Sequence, residues 1–401
     1  MTYCLGWRTR HGVAIIADSL LSAAQPDLYQ HPEITHTTFG ELQGKTKSKR
    51  FSYVAEEGLK LRVGSDFIVG FAGDVGLGRR LMDQFQIEYA AGKSLRDAAT
   101  AALKKIAASQ SDTTVLIGGY EGKKPVLLRI DTAPRGVSYV DKLVQIGSVP
   151  AAQMGWTAHM AEKLAGMPFN NASDGGNAER LFTPMIALVQ SYGVHDNLVE
   201  QGIGGAFLGA WVTPDGAQWQ RDALYAVHRA DVKAAEAIMC GVSVRPRFAC
   251  LISNQTDVVK IITVGKDDPG TSVTAEADEV TAQFDSALFD YVISINSEKH
   301  IVTVIEMKRS RHHRLLSLRP GDTGTIGITW TEQLIAMANT VAGVPSPDGQ
   351  ELTLYVIPFL GISPGEQAHR DRFAHDEELA RKAKAPLSHR VSPAAPENDP
   401  P

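Results

Sequence analysis

The stretch TYCLGWRTRHGVAIIAD, residues 2–18, decides the fold class of this chain. It holds two short apolar segments, Tyr3–Trp7 and Gly12–Asp18, on either side of a polar turn at residues 8–11. Short runs that are rich in β-branched and apolar residues and bounded by turn residues are typical of buried strands. The sequence therefore predicts that the chain opens with a pair of strands.

Beyond this stretch, strands and pairs of helices alternate along residues 2–227. The strand-like segments share short length and flanking turn residues, and they occupy residues 58–63, 67–72, 113–119, 125–130, 137–146, 206–212 and 218–226. The helix-like segments share apolar residues at helical spacing, and they occupy residues 75–91, 94–108, 151–165 and 181–191. This order predicts two sheets packed between layers of helices, an αββα sandwich within an α+β protein.

Composition limits the class of protein and divides the chain. The 401 residues carry 40 Lys+Arg against 45 Asp+Glu, so the net charge of -5 gives no global attraction to nucleic acid or anionic lipid. No segment approaches the roughly 18 apolar residues of a membrane span, and three cysteines do not suggest a disulfide scaffold. A cytoplasmic protein is the expectation. Residues 234–365 are predicted to form a smaller α+β domain, and residues 366–401 a polar tail that is disordered beyond about residue 383.

Thr2 carries the chemistry that the sequence suggests. It follows Met1, and a small second residue permits removal of the initiator methionine. Thr2 would then present a hydroxyl nucleophile and a free α-amine on one residue. An α-amine has a pKa of about 7.7–8.0, which suits a general base at neutral pH, and it is a recognised activator of threonine hydroxyls. The alternative is that Thr2 is an ordinary second residue.

Three segments of residues 2–227 resemble the proteasome β-subunit family. They are TYCLGW (2–7), GVAIIADS (12–19) and GFAGD (70–74), and the opening MTYC is most similar to the bacterial ancestral β-subunit branch. The resemblance implies the αββα sandwich of N-terminal-nucleophile (Ntn) hydrolases and a threonine-type hydrolase of amide bonds, with peptides as the expected substrates. It also implies a homo-oligomeric assembly and chemistry that uses no metal or organic cofactor.

The same resemblance implies a role for each matching residue near the start of the chain. Thr2 is the nucleophile, and Asp18, sixteen residues later, is the acidic partner that holds a lysine ammonium. Lys60 matches that lysine, whose charge would lower the pKa of nearby groups. Three lysines in the long segment 19–57 compete for this role: Lys45, Lys47 and Lys49.

The resemblance further implies residues for the oxyanion and the substrate. Gly70 matches the glycine whose N–H holds the oxyanion, because glycine lets a carbonyl approach the main chain. Ser148, in a Gly-Ser element, matches the serine that contacts the terminal amine. Ile68 and Ala72 flank Gly70 at alternate positions and are expected to line an apolar pocket for the substrate. The chain departs from the family at EQGIGG (200–205), where no serine precedes the last glycine.

Two other functions stay open from the sequence. The missing serine and the long segment 19–57 favour a catalytically inactive assembly or scaffold protein with the same fold. The other possibility is a binding module in which residues 234–365 recognise a protein partner. Neither nucleic acid nor a membrane is an expected partner, since the basic stretch KRSRHHR (308–314) is more typical of a solvated loop than of a binding site.

Overall fold

The structure, a computed structural model, describes the chain in segments. The described residues are 2–23, 35–45, 53–107, 112–167, 174–196, 198–228, 237–245, 248–253, 260–263, 289–296, 301–306, 316–320, 326–330 and 354–358. Contacts group Met1–Ile362 into one unit and Ser363–Pro401 into another. The second unit, which contains the predicted tail at 366–401, lies outside the described residues, as does the basic stretch 308–314.

Strands and helices follow one another along the described residues, as the sequence predicts for a mixed α and β protein. The strands of the first half are β1 (Tyr3–Thr9), β2 (Gly12–Asp18), β3 (Leu20–Ala23), β4 (Thr35–His36), β5 (Leu42–Lys45), β6 (Tyr53–Glu56), β7 (Leu61–Val63), β8 (Phe67–Gly73), β9 (Thr113–Glu121), β10 (Lys124–Thr132), β11 (Arg135–Val140) and β12 (Leu143–Gly147). The later strands are β13 (Phe207–Thr213), β14 (Gly216–Trp219), β15 (Ala223–His228), β16 (Ile238–Arg245), β17 (Phe248–Ser253), β18 (Lys260–Thr263), β19 (Tyr291–Asn296), β20 (Ile301–Glu306), β21 (Leu316–Pro320), β22 (Ile326–Trp330) and β23 (Leu354–Pro358). The helices are α1 (Val75–Ala90), α2 (Leu95–Lys105), α3 (Ala151–Ala165) and α4 (Asp174–Asp196), and a short 3-10 helix covers Leu198–Gln201.

Two five-stranded antiparallel sheets contain the predicted strand pairs. The first has the order β12-β1-β2-β13-β14 and the second the order β11-β10-β9-β8-β7. Gly6 of β1 fits closely against the second sheet, because a Cβ atom there would lie 3.0 Å from both Leu116 and Leu127. Apolar side chains therefore fill the space between the two sheets, and β1 and β2 lie at the centre of the first.

Helices pack on the outer faces of both sheets. Leu81 and Phe85 of α1 join Phe71 and Leu128 of the second sheet in one buried cluster. On the first sheet, the ring of Phe182 in α4 lies 5.6 Å from that of Trp7 and 6.1 Å from that of Trp211. These contacts place α1 against the second sheet and α4 against the first.

Side-chain caps fix where the first two helices begin. Asp74 Oδ1 accepts a hydrogen bond of 2.7 Å from Leu77 N at the start of α1. Ser94 Oγ accepts one of 3.1 Å from Asp97 N at the start of α2. Since α1 starts directly after β8, the Asp74 cap also fixes where that strand ends.

While β21 and β22 pair separately, seven of the later strands form a third sheet, which includes one strand of the predicted first domain. Its order is β18-β17-β16-β15-β19-β20-β23, and β15 pairs antiparallel with β16 and parallel with β19. The sequence instead predicts one strand over 218–226. The strand is interrupted because Gln220 Oε1 accepts from Gly209 N at 2.7 Å, while the main-chain carbonyl of Asp222 accepts from Asp290 N at 2.8 Å. The division into domains at 2–227 and 234–365 stays a prediction.

The segment between β2 and β7 contains strands that the sequence pattern does not predict. Strands β3 and β6 pair with each other, and β5 pairs with β6, so these strands form a small sheet beside the end of β2. None of the helices in the described part of the chain is long and apolar enough to cross a membrane.

Candidate active site

Thr2 lies at the start of β1, where three chain segments meet. Its side chain and main chain are buried, with 2% of the residue exposed. Thr2 Oγ1 accepts a hydrogen bond of 2.8 Å from Gly73 N at the end of β8, and Thr2 O accepts one of 3.0 Å from Ser148 N after β12. Gly147 permits this approach, because its φ is +98° and a Cβ atom there would lie 1.8 Å from Thr2 O. The hydroxyl of Thr2 is therefore held against a backbone N–H.

Asp18 and Lys60 form a buried ion pair beside Thr2. Antiparallel pairing of β1 and β2 aligns Cys4 with Ala17, which brings Asp18, at the end of β2, next to the start of β1. Asp18 Oδ1 accepts from Lys60 Nζ at 2.5 Å and from Tyr3 N at 2.9 Å. Both charged side chains are 0% exposed. The contact predicted between Lys60 and Asp18 is present.

Two further main-chain groups complete the surroundings of this pair. Asp18 Oδ2 accepts a hydrogen bond of 3.2 Å from Gly204 N, and Lys60 Nζ donates one of 2.5 Å to Leu20 O. Burial raises the pKa of Asp18 above its ordinary value, against the opposing effect of the Lys60 ammonium. Burial likewise lowers the pKa of Lys60, against the effect of Asp18. Because the two shifts bring the pKa values closer together, the Lys60 ammonium releases a proton more readily than an exposed lysine does.

The structure brings Gly73, and not Gly70, to the Thr2 hydroxyl. Gly70 lies inside β8, opposite Leu61 and Leu116. A Cβ atom on Gly70 would meet Ile15 at 2.7 Å, so this residue faces the other sheet. Gly73 lies at the last position of β8 with φ +117°, a conformation that favours glycine. The glycine placed just before the helix cap in GFAGD was the signal that could have identified it.

Of the two predicted pocket residues, the structure places only Ala72 near Thr2. Ala72 Cβ lies 3.2 Å from the position that a Cβ atom on Gly147 would occupy. Ile68 is buried between the sheets, where its Cγ1 lies 2.9 Å from the corresponding position on Gly118. It is four residues before Ala72 on the same strand, which is about 13 Å along β8. The extended strand thus separates Ile68 from Ala72, although the sequence predicts that both line one pocket.

The other predicted residues have simpler outcomes. Ser148 contacts Thr2 through its main-chain N–H. Lys47 and Lys49 lie outside the described residues, and the structure does not describe the side chain of Lys45. Cys4 is buried, with its Sγ 3.0 Å from the position that a Cβ atom on Gly70 would occupy.

Sequence reasoning missed two buried carboxylates next to the site. Glu41 Oε2 accepts from Gly205 N at 2.7 Å, and Glu56 Oε1 accepts from Ala206 N at 2.8 Å. Both glutamates belong to the long segment 19–57, which the sequence pattern treats as a loop. The position of Glu56 at the end of the apolar run Tyr53–Ala55 was a signal, since a charged residue that continues a buried strand usually has a partner.

A cavity of about 740 Å³ lies elsewhere, at the far end of β1. Trp7, Arg8 and Arg10 line it together with Leu143 and Leu181. None of the predicted site residues lines this cavity, so its size says nothing about the chemistry at Thr2.

Comparisons with known proteins find a likeness among solved structures. No protein-family model and no curated protein matches the chain. Among solved structures, 222 chains match, and one of them is the eukaryotic HslV from Trypanosoma brucei. That match covers 53% of this chain and 99% of the HslV chain, with 15% identical residues and a TM-score of 0.34. An identity and a TM-score this low decide nothing about function, so the chemistry must be inferred from the contacts of Thr2.

Proposed function

We propose that this chain is a proteasome-like Ntn hydrolase that cleaves amide bonds, with peptides as the substrate class and Thr2 as the nucleophile. The observation that supports it most is the position of Thr2 Oγ1, 2.8 Å from the Gly73 N–H, next to a fully buried Asp18–Lys60 pair. The two facing sheets with helices outside them are, in this proposal, the four layers of the αββα sandwich.

The reaction begins when removal of the chain before Thr2 frees its α-amine. Thr2 Oγ1 attacks the carbonyl carbon of the substrate amide, and the α-amine takes the hydroxyl proton, directly or through a water molecule. The carbonyl π electrons move to oxygen, and the Gly73 N–H donates to the resulting oxyanion. Collapse of this intermediate breaks the C–N bond, and the leaving amine takes the proton from the α-ammonium. Water then hydrolyses the ester and restores Thr2.

The Asp18–Lys60 pair supports the first step electrostatically. A buried positive charge close to Thr2 favours the deprotonated hydroxyl and keeps the α-amine neutral at lower pH. Asp18 holds that charge in place and also accepts from Tyr3 N, which fixes the backbone directly after the nucleophile. Each step uses a hydroxyl, an amine, water or a backbone N–H, so the proposal includes no cofactor.

Self-association belongs to the proposal as well. The resemblance to the proteasome β-subunit family suggests a homo-oligomer with enclosed sites in the cytoplasm, and it leaves residues 234–365 free for oligomer control or for binding a protein partner. A catalytically inactive scaffold is the second candidate. The absence of a serine before Gly205, where Gly204 stands instead, favours it.

A covalent probe tests the proposal directly. An electrophile that closes a ring with both the hydroxyl and the α-amine of a terminal threonine should label Thr2, as read by peptide mass spectrometry. Thr2→Ala should lose both label and turnover of peptide substrates, whereas Thr2→Ser, which keeps both groups, should retain part of each. Labelling at another residue, or full activity of Thr2→Ala, would reject the hydrolase and favour the scaffold.

A further inference from the structure

We propose that Glu56 and Lys260 are positioning residues for this site. They hold the loop Gly204–Ala206 in the position that lets Gly204 N donate its hydrogen bond to Asp18. The inference rests on the proposed function, since it concerns the same reaction. Glu56 belongs to the segment between β2 and β7, and Lys260 to β18 of the third sheet. The third sheet thereby gains a role in catalysis, although no candidate catalytic residue lies in it.

Three consecutive N–H groups of the loop donate to three buried acidic side chains. Gly204 N donates to Asp18 Oδ2 at 3.2 Å, Gly205 N to Glu41 Oε2 at 2.7 Å, and Ala206 N to Glu56 Oε1 at 2.8 Å. A carboxylate that accepts from a backbone N–H makes one of the stronger hydrogen bonds in proteins. The position of the loop therefore depends on side chains outside it.

The two glycines let the carboxylates come this close. Gly204 has φ +152° and Gly205 has φ +67°. A Cβ atom would lie 2.7 Å from Glu41 Oε1 at the first position, and 2.6 Å from Ser19 Oγ and 2.7 Å from Glu56 Oε1 at the second. Gly204, which stands where the serine is expected, and Gly205 thus fit a different support, in which acidic side chains hold the main chain.

Glu56 in turn depends on Lys260. Its side chain is 0% exposed, and Oε2 accepts from Thr38 N at 2.7 Å, from Thr38 Oγ1 at 2.7 Å and from Lys260 Nζ at 2.9 Å. A buried carboxylate that loses its cation is left with an uncompensated charge, which costs free energy. Movement of the Glu56 side chain toward water lowers that cost, and such a movement breaks the hydrogen bond that Glu56 accepts from Ala206 N.

The third sheet also holds Thr38 directly. Cys240 Sγ and Ser253 Oγ both donate to Thr38 O, at 2.9 and 2.6 Å. Lys260, 12% exposed, also donates to His36 O at 3.1 Å. A continuous set of contacts therefore runs from the third sheet through Glu56 and the loop to Asp18, and it ends one residue from Thr2 at Tyr3 N.

Loss of this support should change the turnover step and not substrate binding. Without the Gly204 N–H, Asp18 loses one donor that favours its charged form, so its pKa rises and its hold on Lys60 weakens. The rising limb of the kcat–pH profile should then move to higher pH. KM should stay within about twofold, because Glu56 and Lys260 contact protein groups away from the substrate, whereas small displacements at a reacting centre change kcat by an order of magnitude or more.

The experiment compares the full-length protein with four variants on one peptide substrate. Lys260→Met removes the cation at similar volume, Lys260→Arg keeps it, and Glu56→Gln removes the carboxylate charge. Lys105→Met is the matched control, because Lys105 also pairs with a glutamate, Glu88, but lies on α2 and is 59% exposed. For each variant the kcat–pH profile, KM, the rate of Thr2 labelling by the probe and the near-UV circular dichroism spectrum are measured.

The expected results are about tenfold or larger losses of kcat and of labelling rate for Lys260→Met and Glu56→Gln, a shifted pH profile, and recovery of most activity in Lys260→Arg. A folded Lys260→Met or Glu56→Gln with the kcat and pH profile of Lys105→Met would overturn the inference while leaving the proposed function intact. If Lys260→Met does not fold, Glu56→Gln and Lys260→Arg decide by the same criteria, and an unchanged Glu56→Gln overturns it. An inactive, unlabelled parent protein would overturn both proposals.

Discussion

Asp18→Asn removes the negative charge that keeps Lys60 in the protein interior, and the structure sets the size of the effect. Asp18 accepts from Lys60 Nζ, Tyr3 N and Gly204 N. An asparagine keeps one accepting oxygen but presents an NH2 group in place of the other. The variant therefore leaves Lys60 without its counter-ion and turns a donor toward Gly204 N or toward Lys60 itself.

The cost of this change has an upper limit. Removing one partner of a buried pair costs about 3–5 kcal/mol. The Lys60 ammonium can release its proton instead of staying charged, and doing so at about pH 7 from an ordinary pKa of 10.5 costs about 4.8 kcal/mol. We therefore expect Asp18→Asn to lower the free energy of unfolding by about 3–5 kcal/mol at neutral pH.

The pH dependence gives a second, independent test. Burial lowers the pKa of Lys60 and Asp18 opposes that shift, so the variant lacks the opposing effect and its unfolded state binds more protons than its folded state below about the ordinary pKa of 10.5. Stability then rises with pH through this range, by up to about 1.4 kcal/mol per pH unit. The deficit relative to the parent protein should shrink between about pH 7 and pH 9.

Urea unfolding followed by tryptophan fluorescence measures both quantities. Asp83→Asn is the matched control, since Asp83 also pairs with a cation, Arg62, at 2.5 Å but is 44% exposed, and such pairs contribute at most about 1 kcal/mol. A loss below about 1 kcal/mol for Asp18→Asn, or a deficit that stays constant with pH, would refute the picture of a buried, charged pair.

Three further predictions concern single residues. Gly73→Ala should abolish Thr2 labelling, and in thermal unfolding it should destabilise the fold by more than Gly92→Ala. A Cβ atom on Gly73 would lie 2.4 Å from Asp112 O, whereas Gly92 also has a positive φ of +84° but has open space around it. Burial raises the pKa of Glu41 to about 8. The folded state thus keeps a proton that the unfolded state releases above about pH 4.5, so the free energy of unfolding should fall between about pH 5 and 8. Glu41→Gln resembles the protonated acid, and in urea unfolding it should remove the part of this fall that Glu41 causes. The kcat of the parent protein should rise with pH through about 7–8 as the α-amine of Thr2 becomes neutral, and a flat profile in steady-state assays would speak against that base.

Local pattern in the sequence predicted the first strand pair and the starts of α1, α2 and α3 to within one residue, whereas α4 begins seven residues before its predicted start. The pairing of Asp18 with Lys60 was implied by the family resemblance. In the hairpin of β1 and β2, main-chain pairing alone places Asp18 beside Tyr3. Residues of the two strands pair one to one in opposite directions, so the pairing of Cys4 with Ala17 also fixes the neighbouring positions. The cap at Ser94 follows in the same way from residues that are close in sequence. The turn that joins β7 and β8 places Lys60 near Asp18. The two residues are therefore in contact, although 42 positions separate them in the sequence.

The tertiary structure alone decided which glycine serves Thr2 and what supports Asp18. GFAGD contains two glycines, and only the end of β8 and the Asp74 cap show that Gly73 N points at the Thr2 hydroxyl. The contacts of Glu56 join residues that are 150 and 204 positions apart, at Ala206 and Lys260. No periodicity or short motif encodes such pairs, because their partners meet only when separate sheets pack together and bury charges that must then find each other.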